Sequence, residues 1–346
     1  MNTKNLYAVI LAGGSGTRFW PMIRRANPKQ FLQIADNETL FEKTLKRLET
    51  HVKAKNIFIV TGQTFVKPIA KQIRSFKIPF KNVLLEPQGK NTAPAICWAA
   101  TRIHETNPQA VMMVLPSDHL ILNEKKFWQC LDRAVSLAER KYLVTLGIVP
   151  TRAETGYGYL KTVKEGKIVR VKKFTEKPSL VKAQEFIKTK KYLWNSGMFI
   201  WKTSVILEEF ERHLPQVYNS LIKSAKVKAV WPRLPSISVD YAILEKANNV
   251  VTVPASNIGW SDLGSWESLA DILPKDKNGN IFKGDILSLN SQNNFVWGQT
   301  RLMSVIGVEG LCIIDTKDAI LVCHKGDSQQ VKDMVSLLSK NNRKEV

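Results

Sequence analysis

Short apolar runs alternate with stretches of helix-spaced apolar residues along the first part of this 346-residue chain. The runs are rich in Val, Ile and Leu, as buried strands are, whereas apolar residues three or four apart indicate helices. Strands are predicted at 6–11, 57–60, 83–85, 110–115 and 142–146, and helices over 39–52, 65–76, 91–104 and 124–140. Strands that alternate with helices form a mostly parallel sheet with helices on both faces. The expected class is therefore α/β, in which ligands bind at the carboxyl ends of the strands.

The pattern changes after residue 147. The sequence predicts a hairpin at Glu165-Gly166, a second hairpin-like region at 194–201, a helix over 205–218 broken at Pro215, and a strand at 250–253. A capped helix is predicted over 238–246, with Asp240 either as its cap or with a ligand-side role. Short β pieces separated by Gly and Asn follow at 294–297, 303–308, 311–315 and 319–323, and a helix over 328–339. The final third is thus expected to be structurally distinct.

Three glycines follow the first predicted strand: Gly13, Gly14 and Gly16. Glycine tolerates positive φ and lets the backbone approach a ligand, and successive N–H groups in such a turn bind anions. The stretch is not a Walker A loop, and it departs from the dinucleotide fingerprint because Phe19 stands where the third glycine is needed. With the cations Arg18 and Lys29 close by, the stretch indicates polyphosphate binding. The glycines alone would also fit an ordinary turn.

Two other predicted strand ends carry candidate chemistry. Residues 84–95 read LLEPQGKNTAPA, a loop followed by a helix, and a helix N-terminus suits anions. Residues 114–119 read VLPSDH, in which Asp118 is well placed to hold magnesium, which takes one or two carboxylates plus substrate phosphates. Taken alone, the first stretch also fits a capped helix, and Asp118 also fits an ordinary turn aspartate.

The stretch LAGGSGTRFWP, followed by PKQFL, resembles the signature of the sugar-1-phosphate nucleotidylyltransferases, and among them most closely the mannose-1-phosphate guanylyltransferases. The resemblance extends over essentially the whole chain. It departs at Phe19 and at Met22-Ile23, where the family usually has Leu and Leu-Ser. These positions bear no charge, so the departure concerns fine geometry rather than chemistry.

The resemblance implies a nucleotidyltransferase fold, a Rossmann-like, mixed and mostly parallel sheet flanked by helices, with a small C-terminal β-helix-like domain. The catalytic domain is expected over residues 1–275, and a left-handed β-helix-like domain plus a terminal helix over 276–346. The resemblance further implies a homodimer. It also implies the short form of the family, without the isomerase domain that some members carry.

The implied reaction transfers GMP from GTP to α-D-mannose 1-phosphate, giving GDP-mannose and pyrophosphate, with Mg²⁺ as cofactor. The phosphate oxygen of the sugar attacks the α-phosphorus in line, so catalysis is positioning plus charge neutralisation. A related enzyme with another base or sugar, such as UTP with glucose 1-phosphate, remains an alternative. A non-catalytic sugar-nucleotide sensor is another, although the loop arginine and both metal carboxylates are retained.

The resemblance also assigns residue roles. The catalytic residues are Arg18, Lys29, Asp118 and Lys177. The nucleotide-binding residues are Leu11, Ala12, Gly13, Gly14, Gly16, Thr17, Gly89, Lys90, Asn91 and Thr92. The residues that bind the sugar phosphate are Gly158, Glu176, Lys177 and Asn195, and the metal carboxylates are Asp118 and Asp262. A carboxylate accepts hydrogen bonds from hydroxyls and a lysine is a point charge for phosphate. Alone, Glu176 and Lys177 also fit a surface ion pair, and Asp262 a helix cap.

Composition adds constraints on partners and compartment. The net charge is +21 and the pI about 9.8, but the basic residues are scattered and no nucleic-acid-binding motif is found. We therefore expect no nucleic-acid partner, a basic nucleic-acid-binding protein being the alternative, and a positive field that steers phosphorylated substrates. Neither a membrane span nor a secretion signal is found, so a cytoplasmic protein without membrane contact is expected. The four cysteines form no CxxC pair, and Cys97 and Cys130 are expected in the core, without disulfides.

Overall fold

The computed structural model describes residues 3–14, 16–24, 28–34, 37–222 and 227–346. Ser15 and residues 25–27 of the predicted phosphate loop therefore lie outside the described residues. The chain forms two compact units that interleave along the sequence. The first takes the described residues of Met1–Gly13, Glu42–Ser117 and Ile121–Trp260, and the second those of Gly14–Phe41, Asp118–Leu120 and Ser261–Val346. The domain boundary predicted after residue 275 stays a prediction.

The strands are β1 (Leu6–Ala12), β2 (Ile57–Gly62), β3 (Val83–Glu86), β4 (Val111–Pro116), β5 (Leu120–Ile121), β6 (Leu143–Ile148), β7 (Tyr159–Glu165), β8 (Ile168–Thr175), β9 (Tyr192–Lys202), β10 (Val250–Ala255), β11 (Trp260–Ser261), β12 (Ile281–Lys283), β13 (Ile286–Leu289), β14 (Phe295–Trp297), β15 (Met303–Ile306), β16 (Leu311–Asp315) and β17 (Ile320–His324). The α-helices are α1 (Leu40–Glu49), α2 (Val66–Ser75), α3 (Thr92–Thr106), α4 (Glu124–Glu139), α5 (Leu180–Thr189), α6 (Thr203–His213), α7 (Pro215–Ile222), α8 (Val227–Val230), α9 (Trp266–Ala270) and α10 (Val331–Lys340).

A mixed sheet forms the centre of the first unit. Within the described residues it has nine strands, in the order β3-β2-β1-β4-β9-β6-β10-β8-β7. Parallel pairs join β1 to β2 and β4, β2 to β3, and β6 to β10. Antiparallel pairs join β9 to β4, β6 and β7, and β8 to β7 and β10, so every strand except β8 and β9 shares one direction. The predicted mixed, mostly parallel sheet is confirmed.

The helix α3 packs closely on this sheet because it carries small residues on its buried side. Ala93, Ala95, Ala99 and Ala100 are all within 4% of full burial. The helices α6 and α7 pack against α3, and the break predicted at Pro215 separates them. Small side chains let a helix backbone lie close to its neighbours, and α3 contacts β1 and β2 of this sheet.

The β7–β8 hairpin is observed as predicted, whereas the second predicted hairpin is wrong. Residues 192–202 form one strand, β9, whose pairing with β6 shifts register between Thr145 and Gly147. Gly197 has a φ of 68°, and the extra residues of β9 form a β-bulge rather than a turn. The polar Asn-Ser-Gly sequence resembles a turn signal, but non-local pairing with β4 and β6 keeps the strand continuous.

Parallel strands also build the second unit. One sheet has the order β12-β14-β16-β17, with β12, β14 and β16 parallel, and a second pairs β13 with β15 in parallel. Stacked asparagines join successive coils: Asn280 Oδ1 accepts from Asn294, and Asn294 Oδ1 accepts from the Leu311 N–H. The β pieces predicted here are confirmed, while the last α-helix starts at Val331 because residues 325–330 form a 3-10 helix.

No helix in the described ranges combines the length and the apolar character needed to cross a bilayer. All four cysteines carry free thiols; Cys97 is buried as predicted, whereas Cys130 is only half-buried.

Candidate active site

The glycine turn in the second unit is shaped around Lys29. Gly16 has a φ of 61°, in the left-handed region, and precedes a 3-10 turn over Thr17–Phe19. A Cβ built on Gly16 would lie 2.4 Å from the Lys29 Cβ, so only glycine fits here without displacement. Phe19 is buried, with its ring 4.8 Å from that of Trp266. The departure from the family pattern at Phe19 is therefore accommodated in the core.

Lys29 joins the two aspartates that the sequence singled out. Its Nζ donates a hydrogen bond to Asp118 Oδ2 at 2.7 Å and another to the backbone oxygen of Asp262. The Lys29 side chain is only 8% exposed, and a buried ammonium requires partners of this kind. Residues far apart in sequence thus meet as one charged cluster.

Asp118 is held in its ionised form. Burial alone would raise its pKa, but the Lys29 ammonium and then His119 oppose burial, and the net effect is a pKa below the usual value. The Lys29 hydrogen bond acts in the same direction. Asp118 is therefore a carboxylate at neutral pH.

The cluster lies in a pocket of about 360 Å³ within the second unit. Thr17, Arg18, Gly264 and Lys332, the last from α10, also line this pocket. The Arg18 Nε is buried and makes no hydrogen bond within the described part of the chain. A buried donor without an acceptor is costly, so a ligand that brought an acceptor to this donor would be stabilised here.

The donor set of this pocket fits magnesium. Among the described residues no group of three or more His, Cys, Asp or Glu side chains is placed to hold a metal. Magnesium needs fewer protein ligands, since it retains waters and takes substrate phosphates. The Asp118 and Asp262 carboxylates line one pocket, and a Cβ on Gly264 would lie only 3.1 Å from Asp262 Oδ2. The small residue at 264 thus leaves room for this carboxylate.

In the first unit, Leu11 and Ala12 end β1, and Gly13 follows at the edge of the sheet. A Cβ on Gly13 would lie 3.6 Å from Oε2 of Glu86, the last residue of β3. Glu86 is 8% exposed, and burial raises its pKa to about 7. Glu86 stands in the LLEPQGKNTAPA stretch, and the sequence pattern gives it no role. Its place at the carboxyl end of a predicted strand was the available signal.

Hydrogen bonds with residues 231–239 anchor the loop that follows Glu86. The Trp231 Nε1 donates to the Gln88 backbone oxygen at 2.6 Å, and the Lys90 Nζ donates to the Pro232 oxygen at 3.1 Å. Asn91 has a φ of 63° and caps α3, its side-chain oxygen accepting from the Thr92 N–H. Thr92 Oγ1 in turn accepts from the Val239 N–H at 2.9 Å. Gly89 is exposed, so the loop presents Gly89 at the surface and is anchored by 231–239.

Gly158, Glu176 and Lys177, which the resemblance assigns to the sugar phosphate, lie close together in the first unit. A Cβ on Gly158 would lie 2.6 Å from Glu176 Oε2, so a larger residue there would displace the Glu176 carboxylate. The Lys177 Nζ donates to Glu176 Oε1 at 2.9 Å, and the Lys177 N–H donates to the Tyr157 oxygen. Lys177 has a φ of 43°, a left-handed conformation that is unfavourable for a residue with a side chain.

Asn195, on the bulged part of β9, is held by Asp240. The Asn195 Nδ2 donates to Asp240 Oδ1 at 2.7 Å, while its Oδ1 accepts from Thr145 Oγ1 at 3.3 Å. Asp240 begins a π-helical turn, Asp240–Leu244, and provides no side-chain cap. The suggestion that Asp240 caps a helix is therefore wrong, since its carboxylate faces Asn195. Burial raises the pKa of Asp240 to about 6, although the Asn195 hydrogen bond opposes this shift.

The predicted residues fall into two groups. The second unit brings together Gly14, Gly16, Thr17, Arg18, Lys29, Asp118 and Asp262. The first unit holds Leu11, Ala12, Gly13, Gly89, Lys90, Asn91, Thr92, Gly158, Glu176, Lys177 and Asn195. Glu86, beside Gly13, and Lys332, which lines the pocket of the second unit, are residues to which the sequence pattern gave no role. A glycine turn, two cations and two carboxylates define a site for phosphoryl-type group transfer.

Comparison with known proteins agrees with this class. Residues 7–279 match the model of the nucleotidyl transferase family, and residues 284–338 match the mannose-phosphate isomerase/GMP-like β-helix domain. The chain belongs to the nucleotidyl transferase family.

Individual relatives are similar over nearly the whole chain. Mannose-1-phosphate guanylyltransferase 2 of Escherichia coli O157:H7 is 37% identical, with 100% of this chain and 76% of that protein covered. The alginate biosynthesis protein AlgA of Pseudomonas putida is 38% identical, with 97% and 72% covered. A solved structure from Thermus thermophilus, described as mannose-1-phosphate geranyltransferase, has a TM-score of 0.88 at 32% identity, with 97% of this chain and 99% of that chain covered.

Proposed function

We propose that this chain transfers GMP from GTP to mannose 1-phosphate and releases GDP-mannose and pyrophosphate. The similarity to a mannose-1-phosphate guanylyltransferase along the full chain supports the substrates. The observation that carries the proposal is the Lys29–Asp118–Asp262 cluster beneath the glycine turn. It places the ionised Asp118 carboxylate and Asp262 beside the cations Arg18 and Lys29 in one pocket, as phosphoryl transfer requires.

An oxygen of the mannose 1-phosphate attacks the α-phosphorus, its bond to phosphorus forms as the bond to the pyrophosphate oxygen breaks, and pyrophosphate leaves. The attacking oxygen is already anionic, so no side chain has to act as nucleophile or base. Arg18 and the N–H groups of the glycine turn bind the β- and γ-phosphates. Lys29 stabilises charge at the α-phosphate, and Lys177 holds the attacking phosphate. Gly158, Glu176 and Asn195 orient the sugar.

Mg²⁺ is proposed as the cofactor, held by Asp118 and Asp262. When bound, it neutralises phosphate charge and orients the leaving group. Lys29 then keeps Asp118 ionised and in place.

We further propose that Glu86 recognises the guanine base. Guanine presents N1–H and its N2 amino group side by side, and one carboxylate accepts from both. Adenine presents an acceptor at N1, so an ionised Glu86 disfavours ATP. The burial of Glu86 beside Gly13 supports this role, since an isolated buried carboxylate gains most from two donors.

We also propose that two copies pair through the second unit. Leu287, Leu289 and Ile306 on β13 and β15 are 62%, 58% and 67% exposed. Leu289 and Ile306 are register partners, so the apolar side chains form one patch. Such a patch favours association. Sedimentation should give a dimer that the Leu289→Glu change weakens, and a monomeric wild-type protein would contradict the proposal.

The reaction is tested by pyrophosphate release from the purified protein with magnesium. GTP, ATP and UTP are each combined with mannose 1-phosphate or glucose 1-phosphate. The proposal expects release that depends on both GTP and mannose 1-phosphate. Release with another pair only would keep the mechanism and overturn the specificity, and no release from folded protein with any pair would overturn the function.

A further inference from the structure

One lysine of the phosphate pocket comes from the C-terminal part of the chain. Lys332 lies in the first turn of α10 and lines the same pocket as Arg18, Lys29 and Asp118. It also lines a neighbouring pocket of about 420 Å³, which it shares with Thr17. Lys332 therefore stands where the two pockets adjoin, next to the turn that carries Arg18.

The packing of α10 fixes where Lys332 lies. Val331 and Val335, one helical turn apart, are 3% and 8% exposed and belong to the core of the second unit. The helix packs against the Thr17–Phe19 turn. Because both buried valines are anchored, the helix holds Lys332 at the pocket while the side chain itself stays exposed.

In the described part of the chain, the ion pairs of the pocket engage Lys29 but not Lys332. Lys29 is already engaged by Asp118 at 2.7 Å, which reduces what it offers to a polyphosphate. Within the described residues, no carboxylate forms an ion pair with Lys332. A lysine in the first helical turn also opposes the helix dipole, so its position is not explained by helix stability.

We propose that Lys332 binds the β- and γ-phosphates of the nucleotide and then the leaving pyrophosphate. The inference rests on the proposed function and adds a substrate-binding residue to it. This role would make the C-terminal segment part of the active site, because α10 adds a further cation, Lys332, to Arg18 and Lys29. The contact is exposed, so it weakens as salt screens it.

The test is calorimetric titration of the full-length protein with inorganic pyrophosphate in the presence of magnesium. Lys332→Ala is expected to weaken pyrophosphate binding about tenfold, the loss of one charge-assisted contact. Lys332→Arg should retain most of the affinity because it keeps the charge. Lys340→Ala, an exposed lysine in the last turn of the same helix, is the matched control and should bind like the wild type.

Reverse-reaction kinetics supply the second readout. Lys332→Ala should raise KM for pyrophosphate about tenfold while KM for GDP-mannose stays within about twofold, since only one substrate carries the contacted phosphates. Wild-type-like pyrophosphate affinity in folded Lys332→Ala, or an equal rise in both KM values, would overturn the inference while the proposed function stands. Absence of both GMP transfer and pyrophosphate binding in the wild type would overturn both.

Discussion

At the residue scale, the pocket contains a few charged side chains, of which Arg18 and Asp118 differ in sign and in pairing. Arg18 offers a buried Nε without a partner in the described chain, whereas Asp118 is ionised and paired with Lys29. The charge of Arg18 therefore suits it to bind an anion, and the ionised carboxylate of Asp118 suits it to bind a cation. Neither side chain is required to build the sheet of the first unit, so their removal tests chemistry more than folding.

We predict that Arg18→Ala or Asp118→Ala lowers kcat about 100-fold or more, because deleting a charge aimed at the transition state costs about 2.7–4 kcal/mol. Steady-state pyrophosphate release measures kcat, and circular dichroism checks the fold. Arg102→Ala removes an exposed arginine of α3 and should leave the rate unchanged. Near-wild-type turnover in either folded pocket variant would refute the assignment of that residue.

Glu86 gives a prediction for pH dependence. Its pKa is raised from 4.5 to about 7 by burial, so between these values the folded protein keeps a proton that the unfolded chain releases. Stability from this group therefore falls as pH rises through that window. Glu86→Gln removes the cost, so the variant should melt about 2 °C or more above the wild type at pH 8 and equal it near pH 4. Thermal unfolding at several pH values measures this difference.

The same variant tests base recognition. Glu86→Gln replaces one acceptor oxygen with a donor, so we expect KM for GTP to rise about tenfold at pH 8 and the preference for GTP over ATP to shrink. In the wild type KM for GTP should rise as pH falls below about 7, and this rise should be absent in the variant. An unchanged GTP preference would remove Glu86 from base recognition while leaving the thermal prediction intact.

At the scale of elements, two irregular pieces of the first unit hold Asn195, which we propose contacts the sugar. The bulge of β9 presents Asn195, and the π-helical turn presents Asp240 to it at 2.7 Å. β-Bulges and π-helical segments both occur often at functional sites. We therefore propose that Asp240 is a positioning residue that acts through Asn195.

We predict that Asp240→Ala raises KM for mannose 1-phosphate about tenfold with little change in KM for GTP, since a misplaced polar group loses its hydrogen bonds to substrate. Asp240→Asn retains an acceptor oxygen for Asn195 and should restore most of the affinity. Initial rates at varied concentrations of each substrate separate the two KM values. Equal effects of both substitutions on both substrates would indicate a purely structural role.

The same elements show where sequence patterns succeed. β1, β4 and α3 were predicted to within about two residues because their apolar periodicity is local and strong. The bulge at Gly197 was taken for a hairpin because Asn-Ser-Gly gives the same local signal in both. Asp240 was uncertain because its partner, Asn195, is distant in the sequence.

At the scale of the whole molecule, the net charge of +21 is spread over many positions. We predict that kcat/KM for GTP falls by roughly tenfold as salt is raised to about 0.3 M, while kcat changes less, because screening removes the attraction that steers anionic substrates. Rates measured at fixed pH over a salt series test this, with a neutral osmolyte as control for solution viscosity. A kcat/KM that is independent of salt would show that the charge serves another purpose.

Some features of the whole molecule cannot be predicted from a single sequence. The class of fold was predicted from the sequence and is confirmed, whereas the phosphate-loop roles and the metal roles of Asp118 and Asp262, which the family resemblance supplies, stay predictions. The roles proposed for Glu86 and Lys332 were not predicted, because they depend on tertiary packing that brings β3 to Gly13 and α10 to the Arg18 turn. Ordinary polar residues acquire such roles only through their neighbours in space.

The most direct test follows the atoms of the transfer itself. Mannose 1-phosphate with a heavy oxygen isotope in its phosphate group is incubated with GTP, magnesium and the protein, and both products are analysed by mass spectrometry. Attack of the sugar phosphate on the α-phosphorus predicts that GDP-mannose contains all of the label and pyrophosphate none. Labelled pyrophosphate, or no GDP-mannose from folded protein, would contradict the account.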